Sequence, residues 1–357
     1  MNTLVRMTAE VVSVRDEAGL EALGEGARGK IVLFDNPMPK YDPVKGAGYG
    51  RTVRFRGKGA RLAARHGAVA CLVRSVTATS LRTPHTGAMS YGDAEVKIPA
   101  AAITTEDAAM ITRLRARGQR VVVTLKMEAR NEGLVPSANV VAELPGSTHP
   151  EEIVVLSGHF DSWDVGHGAH DDAGGCVLAM EAVAVLRRLN LVPRRTLRVV
   201  LWVNEENGLA GARQYLEDHK NELTRHVAAI ESDNGVFRPL GYTVDMADED
   251  ARNIAAARLR SLLTLLEPIG AMQVKTGGSG ADIGRLKPYG PALLGFWVDG
   301  SRYFDYHHSP ADTLDKIDPE DLTDCLASLA VVAYILADMP GRLGDGPLPE
   351  ATARSTD

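Results

Sequence analysis

Two stretches of the chain, IVVLSGHF at 153–160 and TLRVVLWVNEE at 196–206, are apolar almost without a break and then turn polar. Such runs predict strands buried on both faces, as in a sheet with helices on each side. Around them the pattern alternates from Asn139 onward. It predicts strands over 140–144, 152–160, 196–204 and 226–232, with helices over 172–189 and 208–220. A further helix is predicted over 251–266 and a strand over 291–298. The last helix begins with Asp318 as N-cap and Pro319 in its first turn and runs to residue 338. The fold class this implies is α/β, a mixed and mostly parallel sheet flanked by helices.

The first 130 residues read differently. Short runs rich in β-branched and apolar residues, KIVLF at 30–34, VACLVR at 69–74 and RVVVTLK at 120–126, predict strands. GKGARLAARHG at 57–67 and TTEDAAMITRLRARG at 104–118 predict amphipathic helices, the second capped at Thr104 or Thr105. The Gly/Pro-rich stretch 36–51 predicts a long loop. We expect a small α/β accessory domain over 1–130, a polar connector, a second domain over 138–342 and a disordered tail over 343–357.

Composition narrows the function classes. The chain of 357 residues is 45% hydrophobic and 24% charged, which suits a soluble globular protein of two domains. Its net charge of −6 is spread along the sequence, with no basic face of the kind a nucleic-acid binder needs. Three cysteines, Cys71, Cys176 and Cys325, lie too far apart for a metal-binding spacing and are too few for a disulfide framework. No apolar run approaches the roughly 18 residues that cross a membrane. The N-terminus lacks the apolar core of a signal peptide, so the expectation is a cytoplasmic chain or one whose leader is missing.

Chemistry gathers at predicted strand ends, where open α/β sheets bind ligands. Strand 152–160 delivers His159 and then Asp161, and the Gly-rich loop after it delivers Asp171 and Asp172 before a helix. Strand 196–204 delivers Glu205 and Glu206, and strand 226–232 delivers Glu231 and Asp233. YFDYHHSPADT adds His307, His308 and Asp312. Taken singly, each has a bland reading. His-x-Asp is commonly a structural pair, Asp-Asp before a helix commonly a cap, and paired glutamates at a helix start commonly charge placement. At successive strand ends together, imidazole and carboxylate groups suit zinc, and a carboxylate placed between others, as Asp171 is, suits a bridge between two ions.

The runs GHFDSWDVGHGAHDDAGG, LWVNEENGLAGARQY, IESDNG and FDYHHSPADT, in this order, resemble the M28 family of zinc peptidases. The likeness runs through nearly the whole chain, including GKIVLFD, RSVTATSLRTPHTG, KIPAAAITTEDA and LVPRRTLRVVLW. It implies two zinc ions per chain, His159 and Asp233 holding one, Glu206 and His308 the other, and Asp171 bridging them. Glu205 would be the general base, and Asp161 would orient His159 through its carboxylate. It also implies a cis Asp171–Asp172 bond, unblocked dipeptides or short peptides as substrates, a homodimer, and an accessory domain of the protease-associated type that helps wall the cleft.

His307 stands where many M28 enzymes carry a tyrosine that stabilises the oxyanion, a task open here to His307, Tyr303 or Tyr306. GGSGADIG at 277–284 resembles the cleft-lining segment, which makes Ser279 and Asp282 candidates for substrate contact; Asp282 as a helix cap is the other reading. His167 and His170 read as solvated loop residues and Cys176 as core. The family is typically secreted or periplasmic. The relatives this chain most resembles within it begin with a leader, a propeptide and part of the catalytic domain upstream of the accessory domain, whereas this chain starts almost at the accessory domain. The rival readings are a single-zinc glutaminyl cyclase or amidohydrolase of the same fold, a receptor-like relative that only binds, and a truncated inactive relative.

Overall fold

The computed structural model describes residues 5–130 and 132–346. Within them the chain divides into two compact units, the first made of 1–136, 163–166 and 300–312 and the second of the remainder. The segments 163–166 and 300–312 thus belong with the N-terminal region, where the sequence pattern had placed them in the second domain.

In the first unit, β1 (Val5–Val14), α1 (Glu17–Leu23), β2 (Ile31–Phe34), α2 (Tyr49–Thr52), α3 (Arg54–Arg65), β3 (Ala70–Arg74), β4 (Ala100–Ile103), α4 (Thr105–Ala116) and β5 (Val122–Met127) follow in order. Their sheet runs β4-β3-β2-β1-β5, with β5 antiparallel to β1 and the rest parallel. Val32, Phe34, Cys71 and Val73 pack on Phe55, Ala60 and Ala63 of α3, while Ile31, Leu33, Ala70 and Leu72 pack on Ala108 and Ile111 of α4. Thr104 caps α4 by accepting from Asp107 N at 3.1 Å, as its N-cap spacing predicts. The strand β1, invisible to the apolar pattern, lies next to the sheet's edge because its Val11 and Val14 are buried while its outer half alternates. α2 likewise begins inside the stretch 36–51 read as loop and ends one residue beyond it.

The second unit contains β6 (Val140–Leu144), β7 (His149–His159), α5 (Gly174–Arg188), β8 (Arg195–Trp202), α6 (Ala210–Asp218), β9 (His226–Glu231), β10 (Pro239–Asp245), α7 (Glu249–Leu262), β11 (Gln273–Thr276) and β12 (Ala292–Val298). The chain then passes through α8 (Tyr303–Tyr306), which belongs to the first unit, and returns for α9 (Pro319–Asp338). The seven strands are ordered β11-β10-β12-β9-β7-β8-β6. β6 is antiparallel to β8 and β10 to β12, and the other pairings are parallel, giving a mixed sheet flanked by helices.

β7 from Ile153 and the whole of β8 are buried, as their nearly continuous apolar runs predict. Ile153, Val155, Val200, Trp202, Ala229 and Leu293 pack on Ala212 and Tyr215 of α6 and on the turn at Ile283–Tyr289. α5 and α9 pack on each other and on β7 and β8. Asp318 caps α9 by accepting from Glu320 N at 2.8 Å, with Pro319 at the first position.

The tail departs from the disorder expected of it. Leu343 is 2% exposed, and Arg258 Nη1 donates to Arg342 O at 3.0 Å and Leu343 O at 3.2 Å. From residue 347 onward the expected tail lies outside the described residues.

Candidate metal centre

The centre of the second unit forms where β7, β8 and β9 end side by side. Gly158 precedes His159 because the strand passes the start of α5 closely. A Cβ there would come 2.5 Å from Asp172 Oδ2 and 2.8 Å from Cys176 N. Asp172 fixes that junction by accepting His159 N at 3.0 Å and Gly175 N at 3.1 Å, so it ties the strand end to the first turn of α5. The peptide bond Asp171–Asp172 is cis.

His159 is 1% exposed. Its Nδ1 lies 2.8 Å from the carbonyl of Asp161, which assigns the ring proton to Nδ1 and turns Nε2 inward. Nε2 is 3.1 Å from Asp171 Oδ1 and 3.3 Å from Asp233 Oδ1. These three atoms lie within 4.8 Å of one another, close enough to share one metal ion. The expected role of Asp161 changes here. It orients His159 through its backbone oxygen, while its carboxylate, 3.9 Å from Nδ1, accepts Glu205 N at 3.0 Å and Glu206 N at 3.3 Å. The two loop amides face the carboxylate and outcompete the imidazole for it.

Electrostatically the site is a concentration of buried acid. Burial, reinforced by Asp233, pushes Glu205 up to about 7. Burial and the charge of Asp233 raise Glu231 to about 8, even though Glu231 accepts Ala281 N at 2.7 Å and Ile283 N at 2.8 Å. Asp172 is pushed well above the usual carboxylate range by burial, and Asp233 is raised for the same reason. For His159 burial works against the charged ring, yet Asp233 and Asp171 outweigh it and hold the imidazole well above its ordinary value. Nε2 therefore attracts a positive charge at the point where three ligand atoms converge. A divalent cation held by that imidazole and those carboxylates meets the same demand, so the donor set fits zinc.

Asp282 does not take the capping role expected of it. It is 1% exposed, both its carboxylate oxygens are sealed from solvent without a hydrogen-bond partner, and it makes no capping bond to the turn that follows. Burial first, then the charges of Glu231 and Glu205, push it up to about 9, so at neutral pH it keeps a proton that the unfolded chain sheds near 3.8. Asp282 consequently costs stability as pH rises above the ordinary carboxylate range toward its raised value. Asp282→Asn is expected to raise the melting temperature of metal-free protein more at pH 8 than at pH 5. Equal shifts at the two pH values would disprove the cause.

Ser279 is half-buried, and its carbonyl would stand 2.9 Å from a Cβ placed on Gly295, so the 277–280 loop lies flat on β12 there. His167 is exposed, but His170 is fully buried rather than solvated, accepting Val236 N at 3.1 Å and stacking on Phe237 at 4.3 Å. All three cysteines are buried and unpaired. In the first unit, His307 follows α8 and is buried, its ring stacked on that of His308 at 3.6 Å and 5.1 Å from that of Tyr303, which is itself buried. His308 Nδ1 lies 3.1 Å from Thr86 O and 3.2 Å from Arg56 Nη1.

The pattern that defines peptidase family M28 matches residues 139–351, and that of the PA domain matches residues 7–111. Carboxypeptidase Q of Xenopus laevis is 43% identical over 333 residues, which cover 93% of this chain and 68% of the relative. Carboxypeptidase Q of Homo sapiens is 41% identical over the same shares. A crystal structure of a peptidase M28 precursor from Shewanella amazonensis superposes with a TM-score of 0.87 at 36% identity, covering 97% of this chain and 76% of that one. BSAP, a zinc aminopeptidase from Bacillus subtilis, shares the fold with a TM-score of 0.62 at 19% identity, over 95% of this chain and 77% of its own.

Proposed function

This chain belongs to peptidase family M28, and on that footing we propose that it is a two-zinc exopeptidase acting on unblocked dipeptides and other short peptides. The observation that carries the proposal is the buried convergence of His159 Nε2, Asp171 Oδ1 and Asp233 Oδ1, with Glu205 beside it. We assign His159 and Asp233 to one ion, Asp171 to the bridge and Glu206 to the second ion. His308 joins the second set on the strength of the motif FDYHHSPADT alone.

Bound zinc supplies a Lewis acid that activates water and polarises the scissile carbonyl. Glu205, its carboxyl raised by burial, takes the proton of the attacking water and returns it to the leaving amine. Asp161 keeps Glu205 and Glu206 in place through their backbone amides. Oxyanion stabilisation by His307 or Tyr303, substrate contact by Ser279 and a homodimeric state rest on family resemblance only. Among the described residues, no helix is long and apolar enough to cross a membrane.

The test is zinc stoichiometry on the purified chain together with hydrolysis of a free dipeptide and its N-acetyl derivative. Two zinc ions per chain, chelator-sensitive cleavage and at least tenfold slower cleavage of the blocked peptide are expected. One zinc with cyclisation of N-terminal glutamine would replace the peptidase by a cyclase. A folded, zinc-loaded chain inert to every peptide would end the proposal. Light scattering at twice the chain mass checks the dimer.

A further inference from the structure

We propose that Asn139 is a positioning residue for hydrolysis, closing from a distance the loop that carries Glu205 and Glu206; the inference rests on the catalytic reading of those two glutamates. The loop spans 203–209, between the end of β8 and the start of α6. Asn139 stands one residue before β6, the edge strand that runs antiparallel to β8 with Val140 opposite Leu201. Its side-chain amide joins the two ends of the loop. Oδ1 accepts Val203 N at 3.1 Å, and Nδ2 donates to Gly211 O at 2.9 Å.

Only a primary amide of this length offers one acceptor and one donor to those two groups at once. An aspartate sets an oxygen against the Gly211 carbonyl, and an alanine leaves both loop ends without their partner. The neighbouring backbone has closed onto the amide. A Cβ on Gly211 would fall 2.2 Å from Asn139 Oδ1 and 2.6 Å from Val203 O, so glycine is required for the staple to reach. Gly211 N also donates to Val203 O at 3.0 Å, which completes the closure.

The enclosed residues need such a closure. Asn204 and Leu209 hold φ of 64° and 62°, in the left-handed region that a leucine enters only under constraint from its surroundings. Leu209 N donates to Asn204 O at 2.7 Å, and Ala210 N to Asn204 Oδ1 at 3.3 Å, so the strained pair is bonded across the loop neck. At the far end the Asp161 carboxylate receives the amides of Glu205 and Glu206. The loop is thus gripped at its carboxylate-bearing end by Asp161 and at its neck by Asn139. Catalysis falls about a hundredfold for an ångström of misplacement. Loss of the neck clamp therefore reaches the reaction through the aim of Glu205, without any contact between Asn139 and substrate.

The experiment compares Asn139→Ala with the parent in steady-state hydrolysis, zinc content and amide hydrogen exchange of the 203–211 peptide. We expect kcat to fall ten- to a hundredfold with KM within threefold, and exchange to rise in 203–211 while β7 and β9 stay protected. A kcat within twofold of the parent overturns the proposal, whatever the melting temperature does, because a merely structural asparagine alters stability and leaves the kcat of the folded fraction intact. Should Asn139→Ala not fold, Asn139→Asp keeps the volume and the bond to Val203. It is expected to show the same kcat loss with exchange raised at the Gly211 end, and an unchanged kcat overturns the proposal equally. If the parent itself hydrolyses no peptide, the functional reading fails separately, and exchange in 203–211 alone decides whether the staple exists.

Discussion

Glu205→Gln is expected to lower turnover by about 10²–10⁴-fold while the chain keeps its zinc. The exchange is nearly isosteric, so the loop and its bonds to Asp161 survive, because those bonds come from the backbone amides of Glu205 and Glu206. What disappears is the proton acceptor. Burial raises the Glu205 carboxyl above the ordinary carboxylate range, which strengthens it as a proton acceptor. An amide is no such acceptor. Kinetics and metal analysis on one preparation check the outcome. Unchanged turnover with full zinc removes Glu205 from the reaction, and loss of zinc would show that it ligates instead.

Metal removal has the second large effect. A chelator is expected to abolish hydrolysis and also to lower the melting temperature, because the cation compensates acid that the fold has buried. Asp171 and Asp172 are 4% and 1% exposed, and Glu231 is 1% exposed. Without a cation, burial and mutual repulsion force Asp172, Glu231 and Asp233 upward in pKa. An ion present at a hundred times its Kd stabilises by about 2.7 kcal/mol. For a unit of this size that amounts to a shift on the order of 5–10 °C. Thermal scans at graded zinc concentrations measure it, and added zinc should restore stability and turnover together. A melting temperature indifferent to zinc would show that these residues do not hold the ion in the folded state.

The ends of β7, β8 and β9 were legible in the sequence because a nearly continuous apolar run has few structural options and the polar cluster that follows it marks the edge of the sheet. His159, Glu205 and Asp233 could be read off in that way. The N-caps Thr104 and Asp318 were legible for an equally local reason, a short acceptor side chain followed by helix formers. Contacts decided across the sheet were not. β1 has too weak an alternation to announce itself, and only its pairing with β2 and β5 makes it a strand. Asp161 reads as an orienting carboxylate until the amides of a loop 44 residues later take its oxygens. Asp282 reads as a substrate contact or a helix cap, and its burial shows only once Glu231 accepts the backbone amides of 281–283. Asn139 offers nothing beyond an asparagine before a strand, since both groups it binds lie on the far side of more than 60 residues.

The discontinuity of the first unit bears on how the chain is made. A ribosome delivers β1 to β5 early, and all five strands are available for pairing once residue 127 has emerged. The same unit still lacks Trp163–Gly166, made near the middle of the chain, and Gly300–Asp312, which comes only near its end. Thr79 gains its partner Asp305, and Tyr49 its stacking partner Phe304, only then. Nascent chains would carry a paired sheet with part of its surroundings missing for most of their synthesis, and a stop codon placed after the second unit's β12 would leave both units short of residues they need.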